Sequence, residues 1–363
     1  MGELVKDARF RTLDAEGLNG GVAPQHLAGQ FLTPPPMLFT RSHAAPPISD
    51  AAEWQVAITG LVGRPRTFSL AELAVEFPRR EVVMTMLCAG LRRDEFLAEG
   101  PVAGELPWGG EPIGTNRWQG FSLRDILTWC QVDPAARHVG FTGGDLVERE
   151  GEQFGFGASI PLAKALDPDV LLATHLDGQP LPPSHGHPVR VVVPGWVGAR
   201  SVKWLRQVEV RAAPSTNYFQ TRAYRLQASP DPDDPRDVRG GRVIEEVILN
   251  AFITAPAPGT VTSAGTVLIS GWAIGPDAAP PARVEVSTNG GTSWTEARLS
   301  AREERWTWRL WQIEVYLPPG EHELVVRAWD ADGGGQPALV SETRNVKGYM
   351  NNAWHRLRVS VPS

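Results

Sequence analysis

A chain of 363 residues with 42% apolar and 21% charged side chains is long enough to bury more than one core. Its 32 prolines argue against a coiled coil, its 2 cysteines against a disulfide scaffold, and its apolar content against disorder. The net charge of −6, from 35 basic and 41 acidic residues, speaks against broad binding to nucleic acid or an anionic membrane surface, but leaves room for a small anion in a local basic pocket.

The first residues carry no apolar signal-peptide core, and no segment approaches the ~18 apolar residues of a membrane span. The sequence therefore reads as cytoplasmic, or periplasmic if a targeting signal has been removed. Residues 1–50 are rich in turn formers, and 1–35 read as an extended arm laid over a domain. Trp54 to Leu61 partly alternates, as a half-buried strand does, and Ser69 with Glu72 three residues on marks a helix start. Val82 to Cys88 is a compact apolar run that ends at Ala89-Gly90, a buried strand running into a loop. Ser122 opens a second short helix, and Val189 to Val193 is another buried run stopped by Pro194-Gly195. Residues 1–240 thus predict a mixed α+β domain.

Residues 228–241, acidic and proline-rich, read as a linker. Beyond it, strand-like runs at Val243–Ile248, Thr266–Ala273, Arg283–Ser287, Trp306–Val315 and His322–Asp330 alternate with turns such as Asn289-Gly290-Gly291. That spacing predicts an immunoglobulin-like all-β sandwich over 241–363. The alternation of Trp306 and Trp308 fits a strand packing one face.

Cys88 and Cys130 show no paired-thiol spacing, so the sequence carries no readable zinc knuckle, iron–sulfur cluster or c-type haem site. A lone cysteine after an apolar run is ordinarily a small core hydrophobe. Arg92 and Arg93 change that reading for Cys88, because cationic neighbours favour the thiolate, the form that binds soft metals or attacks electrophiles.

The string Cys88-Ala89-Gly90-Leu91-Arg92-Arg93 resembles the molybdenum-ligand loop of the sulfite oxidase family, whose members bind the metal through one pterin dithiolene and one protein cysteine. It is joined in the family's order by Phe39-Thr40-Arg41-Ser42-His43, Phe141 to Asp145, Phe156 to Leu162, His185 to Gly195 and Gly198 to Trp204, and Asn351 to Arg356 resembles the ending of the family's β-sandwich dimerisation domain. The resemblance spans about residues 30–360. It implies a molybdenum–molybdopterin cofactor, with Cys88 as metal ligand and Phe39, Thr40, Arg41, Ser42, His43, Asp145, His185, Arg190, Ser201, Val202 and Lys203 as cofactor-binding residues. Cations and planar polar groups from several loops suit an anionic phosphate and a donor-rich heterocycle.

The resemblance also nominates Arg41, Arg93 and Arg356 as a clamp on a small oxyanion, with Tyr224 beside the reacting oxygen. It implies oxidation of sulfite to sulfate by oxygen-atom transfer, electrons passing to a separate carrier such as a cytochrome c or oxygen, and a possible homodimer through the second domain. Three departures stand out. Leu91 replaces the asparagine usual in sulfite-oxidising members, no lysine precedes Trp108, and the segment before the first motif is too short for a b5-type haem domain. Two other functions compete: a reductase of the same fold acting on nitrate or a sulfoxide, and a non-enzymatic ligand-binding protein using Trp294, Trp306, Trp308 and Trp311 as an aromatic platform.

Overall fold

A computed structural model of the chain describes residues 2–100, 102, 104–229 and 237–362. Two sheets organise the first domain. One runs in the order Gly157–Pro161, His138–Gly143, Leu205–Arg211, Gln55–Gly60, Arg66–Ser69, with only Leu205–Arg211 and Gln55–Gly60 parallel. The other runs Gln179–Pro180, Leu171–Leu176, Ile113–Ser122, Arg79–Leu87, and Arg190–Val192 also pairs with Leu171–Leu176. In Gln55–Gly60 the two-residue period buries Val56 and Ile58 and leaves Gln55 exposed. Val82 to Leu87 is buried on both faces, which is why it reads as a continuous apolar run.

Local signals position the short helices. Ser69 Oγ accepts the Glu72 amide at 3.2 Å while the Glu72 carboxylate accepts the Ser69 amide at 2.8 Å, a reciprocal cap on helix Leu70–Glu76. Ser122 precedes helix Leu123–Trp129 without capping it, its hydroxyl donating instead to the Pro168 carbonyl. The N-terminal arm is not wholly extended. Phe10–Thr12 pairs with Gly20–Val22, closed by Asp14 Oδ1 accepting the Leu18 amide at 2.9 Å. Residues 230–236 of the expected linker lie outside the described residues.

The second domain is a sandwich of two antiparallel sheets, Asn250–Ala255, Gly265–Ile274, Arg309–Leu317, Arg298–Leu299 against Thr295–Glu296, Pro281–Ser287, Gly320–Asp330, His355–Val361. Ala251, Ile269, Val284, Trp311, Leu324 and Val326 meet between them. Two sequence expectations are corrected here. Within Val243–Ile248 the sequence of events changes after Val243: Arg242–Val243 pairs with Arg225–Leu226, then Ile244 and Val247 pack on the first domain and the Val247 amide donates to the Gly195 carbonyl. The strand expected from Trp306 begins at Arg309, because the tryptophans before it turn toward the first domain.

That segment docks the sandwich on strand Arg79–Leu87. The Trp308 amide donates to Thr85 Oγ1 at 2.8 Å and its indole N–H to the Phe31 carbonyl at 3.0 Å, while the Trp306 indole N–H reaches Asp169 at 2.7 Å. Trp306, Trp308 and Trp311 are buried, and Trp294 stacks on the Arg327 guanidinium at 3.9 Å. The four tryptophans therefore make no shared aromatic platform. Among the described residues no helix is long and apolar enough to cross a membrane.

Candidate active site

Strand Arg79–Leu87 delivers Cys88 to the floor of a cleft with about 730 Å³ of empty space. The Cys88 amide is tied to the Pro112 carbonyl at 2.9 Å, and the Gly90 amide donates to Cys88 Sγ at 3.4 Å. The Arg93 guanidinium comes close over Gly90, where a Cβ would lie 2.7 Å from Arg93 Nη1 and would have to displace it.

The cleft collects residues from distant parts of the chain. Phe39, Arg41, Ser42 and His43 enter from the segment after the arm, Asp145 from the loop after strand His138–Gly143, and Tyr224 from beyond the last strand of the first domain. His185, Arg190, Ser201 and Lys203 form the opposite wall. Two residues expected beside them stay behind it. Thr40 is held by paired backbone bonds with Gly20, and Val202 packs in the main core while its carbonyl accepts the Val191 amide.

The wall is a buried cluster of cations with little acid to match. Arg190 donates Nη1 to the His185 carbonyl at 3.1 Å and Nη2 to the Ser201 carbonyl at 2.8 Å, and lies over Trp118 at 5.0 Å. Lys203 Nζ donates to Ser42 Oγ at 2.6 Å and to the Ser184 carbonyl at 2.8 Å. Burial pushes Arg190 down to about 9 and holds Lys203 and His185 well below their ordinary values. Asp145 is the carboxylate here, itself shifted upward by burial while its Oδ1 accepts the Phe156 amide at 3.2 Å.

The sequence reading missed Lys6. From the arm it donates to the Leu38 carbonyl at 2.8 Å and meets His185 Nε2 at 3.0 Å, and nearby Glu3 accepts the Ser184 hydroxyl at 2.7 Å. Nothing in a lysine amid turn formers signals such a contact. Buried cations in this excess are matched by an anion, and a phosphate fits them. Among the described residues no cluster of three or more His, Cys, Asp or Glu side chains forms a metal cage. A metal at Cys88 therefore brings further ligands with it, and the residues present suit a metal carried on an anionic organic anchor.

At the other end of the cleft, His43 clusters with the rings of Phe156 and Phe219, with centroids at 5.4 and 4.4 Å, and Tyr224 stacks on Tyr349 at 5.4 Å. Tyr224 holds a left-handed backbone with φ of 49°, strained for a non-glycine residue and common at built sites. Arg41 donates to Asn19 Oδ1 at 3.1 Å, to the Ser42 carbonyl and to His43 Nδ1, all neutral acceptors.

Two members of the expected clamp are elsewhere. Arg93 is 3% exposed and does not line the cleft, since it donates to the carbonyls of Lys347, Gly348 and Leu106 and its Nη2 faces Glu105 at 3.5 Å. Arg356 lies on the second domain's sheet, 3.1 Å from Glu323 Oε2 and donating to the Gly290 carbonyl. Charge spacing along the sequence cannot reveal which carboxylate or carbonyl captures a guanidinium. Leu91 is buried, its amide closing a turn onto the Cys88 carbonyl at 3.0 Å.

Residues 43–219 match the oxidoreductase molybdopterin binding domain family, and residues 241–362 match the Mo-co oxidoreductase dimerisation domain family. The chain is 39% identical to mitochondrial sulfite oxidase of Rattus norvegicus over 355 residues, 94% of this chain and 64% of that protein. It thus spans just under two thirds of that relative's length. With sulfite oxidase of Gallus gallus it shares 38% identity over 386 residues, 98% of this chain and 83% of the relative. Its fold superposes on the sulfane dehydrogenase SoxCD of Paracoccus pantotrophus with a TM-score of 0.80 at 25% identity, covering 98% of this chain and 88% of the other. With a cysteine-floored, cation-walled cleft in front of a matching dimerisation domain, the chain belongs to the sulfite oxidase family of molybdenum–molybdopterin oxidoreductases.

Proposed function

We propose that this chain oxidises sulfite to sulfate. The observation that carries this reading is the shared cleft, in which Cys88, the buried cation wall and the pair Arg41 and Tyr224 face one space. Molybdenum–molybdopterin, when bound, supplies oxygen-atom transfer and two-electron redox chemistry. In balance, sulfite and water give sulfate, two protons and two electrons, the electrons leaving one at a time to an external carrier such as a cytochrome c, or to oxygen.

The chain's own residues divide the remaining work. Cys88 would be the protein's ligand to the metal, with the Gly90 amide donating to its sulfur. Lys203, Arg190 and His185 would hold the cofactor's phosphate, with Lys6 behind His185. Asp145 would accept a hydrogen bond from the pterin ring. Arg41 neutralises the incoming oxyanion, and Tyr224 directs a hydroxyl hydrogen bond to it, both preorganised by neighbours rather than by solvent. The second domain pairs two copies of the chain, a role supported by its family match.

Purified cofactor-loaded protein tests the reading. Sulfite-dependent reduction of cytochrome c or ferricyanide, with sulfate formed in proportion, is the expected result. Failure to consume sulfite, alongside turnover of nitrate or a sulfoxide with a reduced dye, would replace it with the reductase alternative.

A further inference from the structure

The mouth of the cleft holds an acid that neither the motifs nor the cofactor accounts for. Glu105 has a side chain 15% exposed, and its two oxygens face different cations: Oε2 is 3.5 Å from Arg93 Nη2 and Oε1 is 3.4 Å from Lys347 Nζ. It shares an outer cavity with Arg41 and Tyr349, so its charge stands beside a space that also reaches Arg41. Farther out, Arg222 is paired with Glu150 and Arg239 with Asp237. Arg93, Lys347, Arg222 and Arg239 around the mouth thus each face a carboxylate, Arg149 there bonds the Glu148 carbonyl and His43, and Arg41 inside it bonds only neutral acceptors.

A pocket built to draw in a free dianion would leave these cations open to it. Here a single carboxylate faces both Arg93 and Lys347 and offsets one of their two positive charges, so less of it adds to that of Arg41. A half-buried charge beside the site that changes the affinity for a doubly charged ligand about tenfold changes it for a singly charged one about threefold, because the energy scales with ligand charge. We propose that Glu105 is a specificity residue that tunes the site against doubly charged oxyanions, so that the substrate enters as the singly charged hydrogensulfite and doubly charged sulfate is expelled. The proposal rests on the sulfite reading above, because it takes the space beside Arg41 as the substrate's place.

The test compares wild type with Glu105→Gln, which is nearly isosteric and uncharged, and with Glu105→Asp, which keeps the charge. Sulfate and the monoanion nitrate serve as probes, their dissociation constants measured by calorimetry on cofactor-loaded protein and as inhibition constants where the protein turns over. Sulfate affinity is expected to rise about tenfold in Glu105→Gln, nitrate affinity only about threefold, and Glu105→Asp to resemble wild type. Unchanged or weaker sulfate binding in a folded, cofactor-loaded Glu105→Gln overturns the proposal, as does an equal gain for both anions. If sulfate affinity rises selectively while wild type fails to oxidise sulfite, the role of Glu105 stands and the sulfite reading falls.

Discussion

The His43 Nε2 atom lies 2.8 Å from the Tyr224 hydroxyl oxygen. On the other side of the ring, Nδ1 is 3.2 Å from Arg41 Nη2 and 3.4 Å from Arg149 Nη2. Guanidinium groups only donate, so Nδ1 accepts, the proton sits on Nε2, and Nε2–H donates to the Tyr224 oxygen. Burial, reinforced by Arg41 and Arg149, holds the imidazole well below its ordinary range and keeps it neutral. Burial likewise pushes Tyr224 up to about 12, so the phenol keeps its proton. With its oxygen already accepting from His43, Tyr224 has its own O–H free to donate into the cleft.

That geometry makes Tyr224→Phe a loss of about 2 kcal/mol in transition-state stabilisation, or roughly thirtyfold in kcat/KM, with cofactor content unchanged. His43→Phe retains the ring against Phe219 but removes both nitrogens, and is expected to lose a similar amount. The double variant should be little worse than either single one, because both break one hydrogen-bonded unit. Steady-state kinetics on the cofactor-loaded variants, normalised to molybdenum, check this.

The arm yields a prediction in pH. Burial lowers Lys6 to about 8 from an ordinary 10.5, against an opposing pull from Glu3. Between those values the unfolded chain holds a proton that the folded chain has released, so folding stability rises with pH through the window and this contribution is lost as pH falls through 8. In cofactor-free protein, the melting temperature should therefore show a component that rises from pH 8 to about 10.5 and is absent in Lys6→Met. Calorimetric melts of both proteins across that range measure it.

Trp308 joins the two domains through a fully buried indole and two hydrogen bonds. Trp308→Ala keeps the backbone bond to Thr85 but removes the indole with its bond to Phe31 and leaves a cavity, at a cost of about 4 kcal/mol. Denaturant unfolding followed by fluorescence should show the loss.

What the sequence made legible follows from how locally each feature is encoded. Cys88 and the wall from His185 to Lys203 stand in contiguous strings, so their chemistry is readable without a fold. The cap at Ser69 and Glu72 was equally local. Arg93 and Arg356 were misplaced because their partners, Glu105 and Glu323, are set by tertiary packing. Lys6 and Glu3 looked like residues of a loose arm until the Ser184-His185 loop was brought beneath them. Trp306 and Trp308 alternate as strand residues do, yet their indoles bond to the first domain, Trp308 stacking also on Trp272, and no two-residue period can distinguish that.

Everything proposed for the cleft depends on Cys88 sulfur binding molybdenum within it. X-ray absorption at the molybdenum edge, on wild type and Cys88→Ser loaded in a pterin-competent host, tests this directly. The expected spectra differ by the loss of one sulfur neighbour in the variant, with the pterin retained and turnover abolished. Identical sulfur shells in the two proteins, or full activity in Cys88→Ser, would contradict it.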